Sequence, residues 1–175
     1  MHKKIVLIVG ASGVGKDTLL KNIKDNIEAT FVKRYITREP DNNESNYYVD
    51  EEAFEALDGE NYFISTWKAH NNRYGIAAAH IKTGLNIISI SRGAIKDFEN
   101  RYDEVTTINI TIPKEELFKR LKKRGRESDE EIAKRIKRSY PLIDTVNLIE
   151  FDNSKSIEES SQEFIKLLQS IKNEK

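Results

Sequence analysis

Residues 10–18 read Gly10-Ala11-Ser12-Gly13-Val14-Gly15-Lys16-Asp17-Thr18 and stand directly behind the apolar run Ile5-Val6-Leu7-Ile8-Val9. A buried strand, a glycine-rich turn and then a helix carrying Leu19, Leu20, Ile23 and Ile27 is the context that a phosphate-binding loop requires. The glycines let successive backbone N–H groups converge on phosphate oxygens, and the helix N-terminus adds partial positive charge. Lys16 is placed to reach the β- and γ-phosphates. The competing reading is a strand-to-helix turn with no ligand, and the lysine at this spacing argues against it. Residues 10–18 are therefore expected to bind a nucleoside triphosphate.

The position after the lysine usually holds Ser or Thr, whose hydroxyl ligates Mg²⁺; here it is Asp17, with Thr18 one residue later. A carboxylate is a hard oxygen ligand suited to Mg²⁺, directly or through a water. Asp17 is thus read as a metal ligand, the alternative being a carboxylate that favours the helix N-terminus electrostatically.

Strand-like segments at Ile5–Val9, Phe31–Ile36, Phe63–Trp67, Leu85–Ile90, Val105–Ile112 and Leu148–Phe151 alternate with helical patterns. The helices are expected over Lys16–Ile27, Glu51–Leu57, Ala94–Asn100, Lys114–Arg124, Glu130–Tyr140 and Ile157–Lys172. Ser128 with Glu131 and Ser156 with Glu159 read as capping boxes, and Pro113 suits a first helical turn. The last helix is expected to bury Ile157, Phe164, Ile165, Leu168 and Ile171. Alternating strands and helices predict a mostly parallel sheet covered on both faces, with ligand at the C-terminal strand ends. The polar stretch Asp41-Asn42-Asn43-Glu44-Ser45-Asn46 reads as a loop.

The chain has 175 residues, enough for one domain with a full core. Lys and Arg number 29, as do Asp and Glu, so no global field draws it to nucleic acid or a membrane surface. Zero cysteines exclude disulfides and thiolate metal sites. The N-terminal apolar stretch is too short for a signal peptide, nothing approaches transmembrane length, and a cytoplasmic location is expected.

Three clusters supply the cations that phosphoryl transfer needs, since that reaction is mostly positioning and charge neutralisation. They are Arg34-Tyr35-Ile36-Thr37-Arg38; Arg73-Tyr74-Gly75, after Trp67-Lys68; and Lys122-Lys123-Arg124-Gly125-Arg126, followed at helical spacing by Arg135 and Arg138. Each has a plainer reading. The lysine and arginine run suits a solvated helix end, Arg34 and Arg38 an ordinary surface, and Tyr74 and Trp67 packing. His70 and His80 show no partners in the sequence and are assigned nothing.

Taken in order, these features resemble the guanylate-kinase-like branch of the nucleoside monophosphate kinase superfamily. Within it the best match is the ribose 1,5-bisphosphate phosphokinase family. The resemblance spans nearly the whole chain and is carried by Gly15-Lys16-Asp17, Arg34-Tyr35-Ile36-Thr37-Arg38, Thr66-Trp67, Tyr74-Gly75-Ile76, Ser91-Arg92, Arg124-Gly125-Arg126-Glu127 and Arg135. It implies an α/β P-loop kinase: a mostly parallel sheet flanked by helices, with an acceptor-binding insertion and a mobile lid. The single domain, 1–175, would have its core at 1–33 and 84–175, the insertion at about 34–83 and the lid at about 124–138.

The resemblance further implies transfer of the γ-phosphoryl of ATP, with Mg²⁺, onto the 1-phosphate of ribose 1,5-bisphosphate. The product is 5-phosphoribosyl 1-diphosphate, a step of phosphonate metabolism. Residues 10–18 would hold ATP, with Lys16, Arg124, Arg126 and Arg135 serving the transferred group. By the resemblance Arg38, Tyr47 and Tyr74 would hold the acceptor phosphate, and Arg34, Lys68 and Arg92 are further cations expected at the acceptor.

The chain departs from true guanylate kinases where those read the base. Asp41 and Asn42 occupy the region of their second loop arginine, and Ile76 replaces a hydroxyl two residues past the tyrosine. Lys68 is aligned with their guanine-reading carboxylate. A lysine cannot accept hydrogen bonds from guanine's N–H groups. The expected partner is a small sugar phosphate or a nucleoside monophosphate, with no nucleic acid and no membrane, and homodimerisation stays open. The alternatives are a guanylate or other nucleoside monophosphate kinase and, from another class, a catalytically silent guanylate-kinase-like binding module.

Overall fold

The computed structural model describes residues 2–39 and 45–175. The elements run β1 (Lys3–Gly10), α1 (Lys16–Ile23), β2 (Thr30–Phe31), β3 (Tyr35–Ile36), β4 (Tyr47–Tyr48), α2 (Glu51–Gly59), β5 (Phe63–Ala69) and β6 (Asn72–Ala77). They continue with β7 (Gly84–Ser89), α3 (Ile95–Glu99), β8 (Val105–Thr111), α4 (Lys114–Arg124), α5 (Asp129–Ser139), β9 (Leu148–Asp152) and α6 (Ile157–Asn173).

An apolar run fits a strand only if both its faces are covered, and β1 meets that condition. It sits centrally in a parallel five-stranded sheet of order β2-β7-β1-β8-β9. Val6 and Ile8 pack with Leu19, Ile23, Leu117, Phe164 and Leu168 on one face. Ile5, Leu7 and Val9 pack with Ile88, Ile90, Ile95 and Phe98 on the other. Deletion of any of these side chains removes contacts worth about 2–5 kcal/mol. The α/β class and the parallel, helix-flanked sheet expected from the sequence are what the chain forms.

A second sheet, order β4-β3-β6-β5, is built from residues between β2 and β7. Its β5–β6 and β3–β6 pairs are antiparallel. The segment read as one strand, Phe31–Ile36, is in fact divided. Thr30 and Phe31 pair with β7, while Tyr35 and Ile36 pair with β6, so the chain changes sheets across Lys33 and Arg34. β6 is missing from the sequence reading altogether. Its hairpin turn, His70-Asn71, has φ of 50° and 62°, the conformation of a two-residue primed turn in which asparagine is favoured.

Two further expectations are corrected. Helix α1 ends at Ile23 rather than Ile27, because the Asn22 and Asn26 side chains donate to the carbonyls of Thr18 and Asn22 and compete with the helical ladder. Ile157, expected in the core, is 40% exposed. The Ser128–Glu131 capping box is present, and the Ser156 side chain accepts from the Glu159 N–H. The tetrad Asp41–Glu44 of the predicted polar loop lies outside the described residues. No helix among the described residues is long and apolar enough to cross a membrane.

Candidate active site

The end of β1 and the start of α1 fix the loop. Gly13 and Gly15 have φ of 95° and 83°, a left-handed conformation that L side chains rarely adopt, and Gly15 forms the N-cap of α1. The loop leans on α4, because a Cβ at Gly13 would lie 3.2 Å from both Leu117 and Leu121. Lys16 opens helix α1, and Asp17 and Thr18 follow on its exposed first turn. Sequence reasoning gave no role to Asn153 or Arg120, yet both touch the loop. Asn153 Nδ2 donates to the Val14 carbonyl at 2.8 Å and Arg120 Nη1 at 3.4 Å. Neither belongs to a local motif; they reach the loop from β9 and α4.

Two clefts flank the loop. One, of about 460 Å³, lies between Ala11 of the loop and the face of α5 bearing Lys134, Arg135 and Arg138. Arg135 reaches it half-buried and is oriented by Glu127 at 2.8 Å. Arg124 and Arg126 do not join it. They flank Gly125, the left-handed C-cap of α4, and are exposed. The sequence grouped them with Arg135 by proximity, whereas helical phase selects Arg135 and Arg138, three residues apart on one face.

Arg92 also lines this cleft, although it was expected among the acceptor ligands. Its Nη2 donates to the Ser139 carbonyl at 2.7 Å, tying the C-terminal end of α5 to the end of β7, and its Nε is buried without a partner among the described residues. Burial lowers its pKa from the ordinary arginine value, while Glu150 pulls the other way. Tyr140 anchors the same segment through a 2.7 Å bond from its hydroxyl to the Ile112 carbonyl.

The second cleft, about 540 Å³, runs from Asp17 on α1 to the strand-switching segment and residues 45–46. Lys21, Lys24, Lys33 and Arg34 line it, and the only acidic groups among its described lining residues are Asp17 and Asp25 of the α1 segment. Arg34 is held by one ring and one side-chain amide. It sits 5.4 Å from the Tyr74 ring, which stacks on Trp67 at 5.5 Å and 5°, and its Nε donates to Asn46 Oδ1 at 3.3 Å. Tyr74 and Trp67 are thus packing partners of a cleft cation. The Ser89 hydroxyl, which lines this cleft, is buried without a partner among the described residues.

Lys68 and Tyr47 do not line this cleft. Lys68 is exposed and opposes Arg73, which lies 4.5 Å from the Phe54 ring, 3.4 Å from Asp58, and in contact with Glu55. Strand alternation therefore puts Lys68 on the α2 side, opposite Trp67 and Tyr74. For the same reason Asn46 faces the cleft and Tyr47 does not. Tyr47 packs on Tyr35 and His80, with ring centroids 4.9 Å and 5.3 Å away. His80 has partners after all: its Nε2 lies 2.9 Å from the Tyr35 hydroxyl, which also bonds Tyr62 at 2.8 Å. Burial first, and then the bond to Tyr62, raises the Tyr35 pKa. Arg38 is half-buried.

A magnesium ion would find carboxylate and hydroxyl oxygens at Asp17 and Thr18. No group of three or more candidate ligand side chains occurs among the described residues.

The chain is similar to known proteins over nearly its whole length. A family model described as an AAA domain matches residues 6–138. The ribose 1,5-bisphosphate phosphokinase PhnN of Rhizobium etli is 34% identical over 95% of this chain and 90% of its own length. That of Agrobacterium fabrum is 33% identical over 94% and 96%. A crystal structure of guanylate kinase from Anaplasma phagocytophilum superposes with a TM-score of 0.65 at 21% identity, covering 99% of this chain and 87% of that one, and so shares its fold. With a phosphate loop at its centre and relatives matched from end to end, this chain belongs to the ribose 1,5-bisphosphate phosphokinase family of P-loop kinases.

Proposed function

We propose that the protein transfers the γ-phosphoryl group of ATP to the 1-phosphate of ribose 1,5-bisphosphate. An oxygen of the acceptor 1-phosphate forms the new bond to the γ-phosphorus, the bond from that phosphorus to the β–γ bridging oxygen breaks, and ADP leaves. The observation that carries the reading is the cleft bearing Lys21, Lys24, Lys33 and Arg34 beside the phosphate loop. An acceptor with two phosphates and no base matches such a surface.

In this reading residues 34–83 present the acceptor and residues 124–138 cover the donor. Lys16 and the loop N–H groups hold the triphosphate. Arg135 meets the transferred group, with Arg138 beside it and Arg92 joining the cover to the β7 end. Asp17 and Thr18 would hold Mg²⁺, which would supply neutralising positive charge to the triphosphate. The test is phosphorus NMR of a mixture of ATP, Mg²⁺, ribose 1,5-bisphosphate and the protein. The expected result is the coupled pair of resonances of a new diphosphate on the sugar. Release of ADP with no such pair overturns the reading.

Replacing Asp17 by asparagine removes a charged oxygen ligand or the anchor of its bridging water. The Mg²⁺ concentration giving half-maximal rate is expected to rise roughly tenfold. An unchanged Mg²⁺ dependence returns Asp17 to a helix-end role and moves the metal to Thr18.

A further inference from the structure

We infer that Asn153 is a positioning residue for the triphosphate cradle: it holds the Val14 carbonyl outward and thereby aims the Gly15 N–H at the bound phosphates. The inference rests on the reading of residues 10–18 as that cradle.

Val14 is 2% exposed, so its carbonyl cannot rely on solvent, and an unpaired buried carbonyl is costly. The Asn153 amide supplies the partner across 139 residues of chain, at 2.8 Å and out of solvent. Asn153 is itself fixed, 6% exposed and donating its own N–H to the Thr111 carbonyl at 2.8 Å as β9 ends. Arg120 Nη1 approaches the same carbonyl at 3.4 Å from α4, oriented by Glu116 at 3.2 Å.

Peptide planarity turns this bond into a statement about the phosphate side. No cis peptide occurs among the described residues, so the Val14 carbonyl and the Gly15 N–H point in opposite directions. Capturing the oxygen from the β9 and α4 side leaves the hydrogen facing the concave side of the loop. The reverse orientation would put a carbonyl oxygen where phosphate oxygens must lie. Glycine on one side of that peptide makes such a flip cheap, so the orientation needs an external holder. The holder also explains why residue 15 has no side chain: a Cβ there would lie 2.9 Å from Asn153 Nδ2.

The test uses the full chain with Asn153→Ala and the near-isosteric Asn153→Asp, which replaces the donor by an acceptor beside the carbonyl. Loss of one preorganised donor predicts an ATP KM raised roughly tenfold in Asn153→Ala and more in Asn153→Asp, with the KM for the acceptor unchanged. Inorganic tripolyphosphate binding should weaken in parallel. The Gly15 amide resonance, which shifts when tripolyphosphate binds the parent, should lose that shift. Arg120 Nη1, at 3.4 Å, offers the carbonyl only a weaker partner once Asn153 is gone, so adding Arg120→Met to Asn153→Ala should raise the ATP KM further. A lowered melting temperature with parental tripolyphosphate affinity and a parental Gly15 shift makes Asn153 merely structural and overturns the inference. Failure of the parent itself to bind tripolyphosphate or ATP overturns the cradle reading, and this inference with it.

Discussion

Alanine at position 16 lowers phosphoryl transfer by on the order of 10³, because a single preorganised positive group is withdrawn from where charge develops. Lys16 is the first residue of α1 and follows a glycine held in the left-handed conformation, so its backbone is set by the loop and not by its side chain. The residues that hold loop and helix to the sheet, Val14 and Leu19, are 2% and 0% exposed and are untouched by the change. Folding is therefore expected to survive where catalysis does not. A coupled ADP-release assay and a thermal melt of the same preparation check both halves. A protein that melts as if it had lost a core side chain, yet turns over at the parental rate, would show that Lys16 serves packing and that the loop has been misread.

The parts of this design that could be read in sequence are those written in local spacing. Ile5–Val9 followed by the glycines and Lys16 fixes strand, loop and helix together, and β1 then recruits equally apolar neighbours on both sides. The second sheet escapes such a reading because β3 and β4 are two residues long and carry no alternation to detect. β6 contains Gly75, a weak strand former, and the reason for it is tertiary: a Cβ there would lie 2.7 Å from the Phe63 ring. The site residues divide in the same way. Side chains on a strand reverse faces at each step, so a one-residue difference in register separates Asn46 from Tyr47 and Trp67 from Lys68. Arg92 sits just past β7, a strand foreseen as Leu85–Ile90, but the carbonyl it meets, Ser139, is 47 residues away. No motif announces such a contact. Asn153 is the extreme case, a single polar residue after the last strand whose partner lies in the loop at the other end of the chain.

Acceptor choice carries the other large effect. Guanine entering the cationic cleft would present its ring N–H and amino group to a wall rich in donors: Lys21, Lys24, Lys33 and Arg34. The carboxylates of that wall, among the described residues, are Asp17 and Asp25 at the α1 end, and Asn46 Oδ1 already accepts from Arg34. Each buried donor left facing another donor costs about 1–3 kcal/mol. Sites built for one hydrogen-bonding pattern reject the mismatched ligand by on the order of 10⁴ in kcat/KM. A sugar bisphosphate reverses the sign of every one of these contacts, since its second phosphate offers acceptors to the same cations. The expected result is therefore a kcat/KM for ribose 1,5-bisphosphate exceeding that for GMP by on the order of 10⁴, measured by ADP release with each acceptor in separate titrations. Neutralising Arg34 to glutamine should erode this ratio by raising the KM for the bisphosphate while leaving GMP turnover as poor as before, because the lost cation served the phosphate and no base. Efficient use of GMP, with none of ribose 1,5-bisphosphate, would mean that the cleft reads a base through groups other than these, and that the chain is a nucleotide kinase built on the same fold.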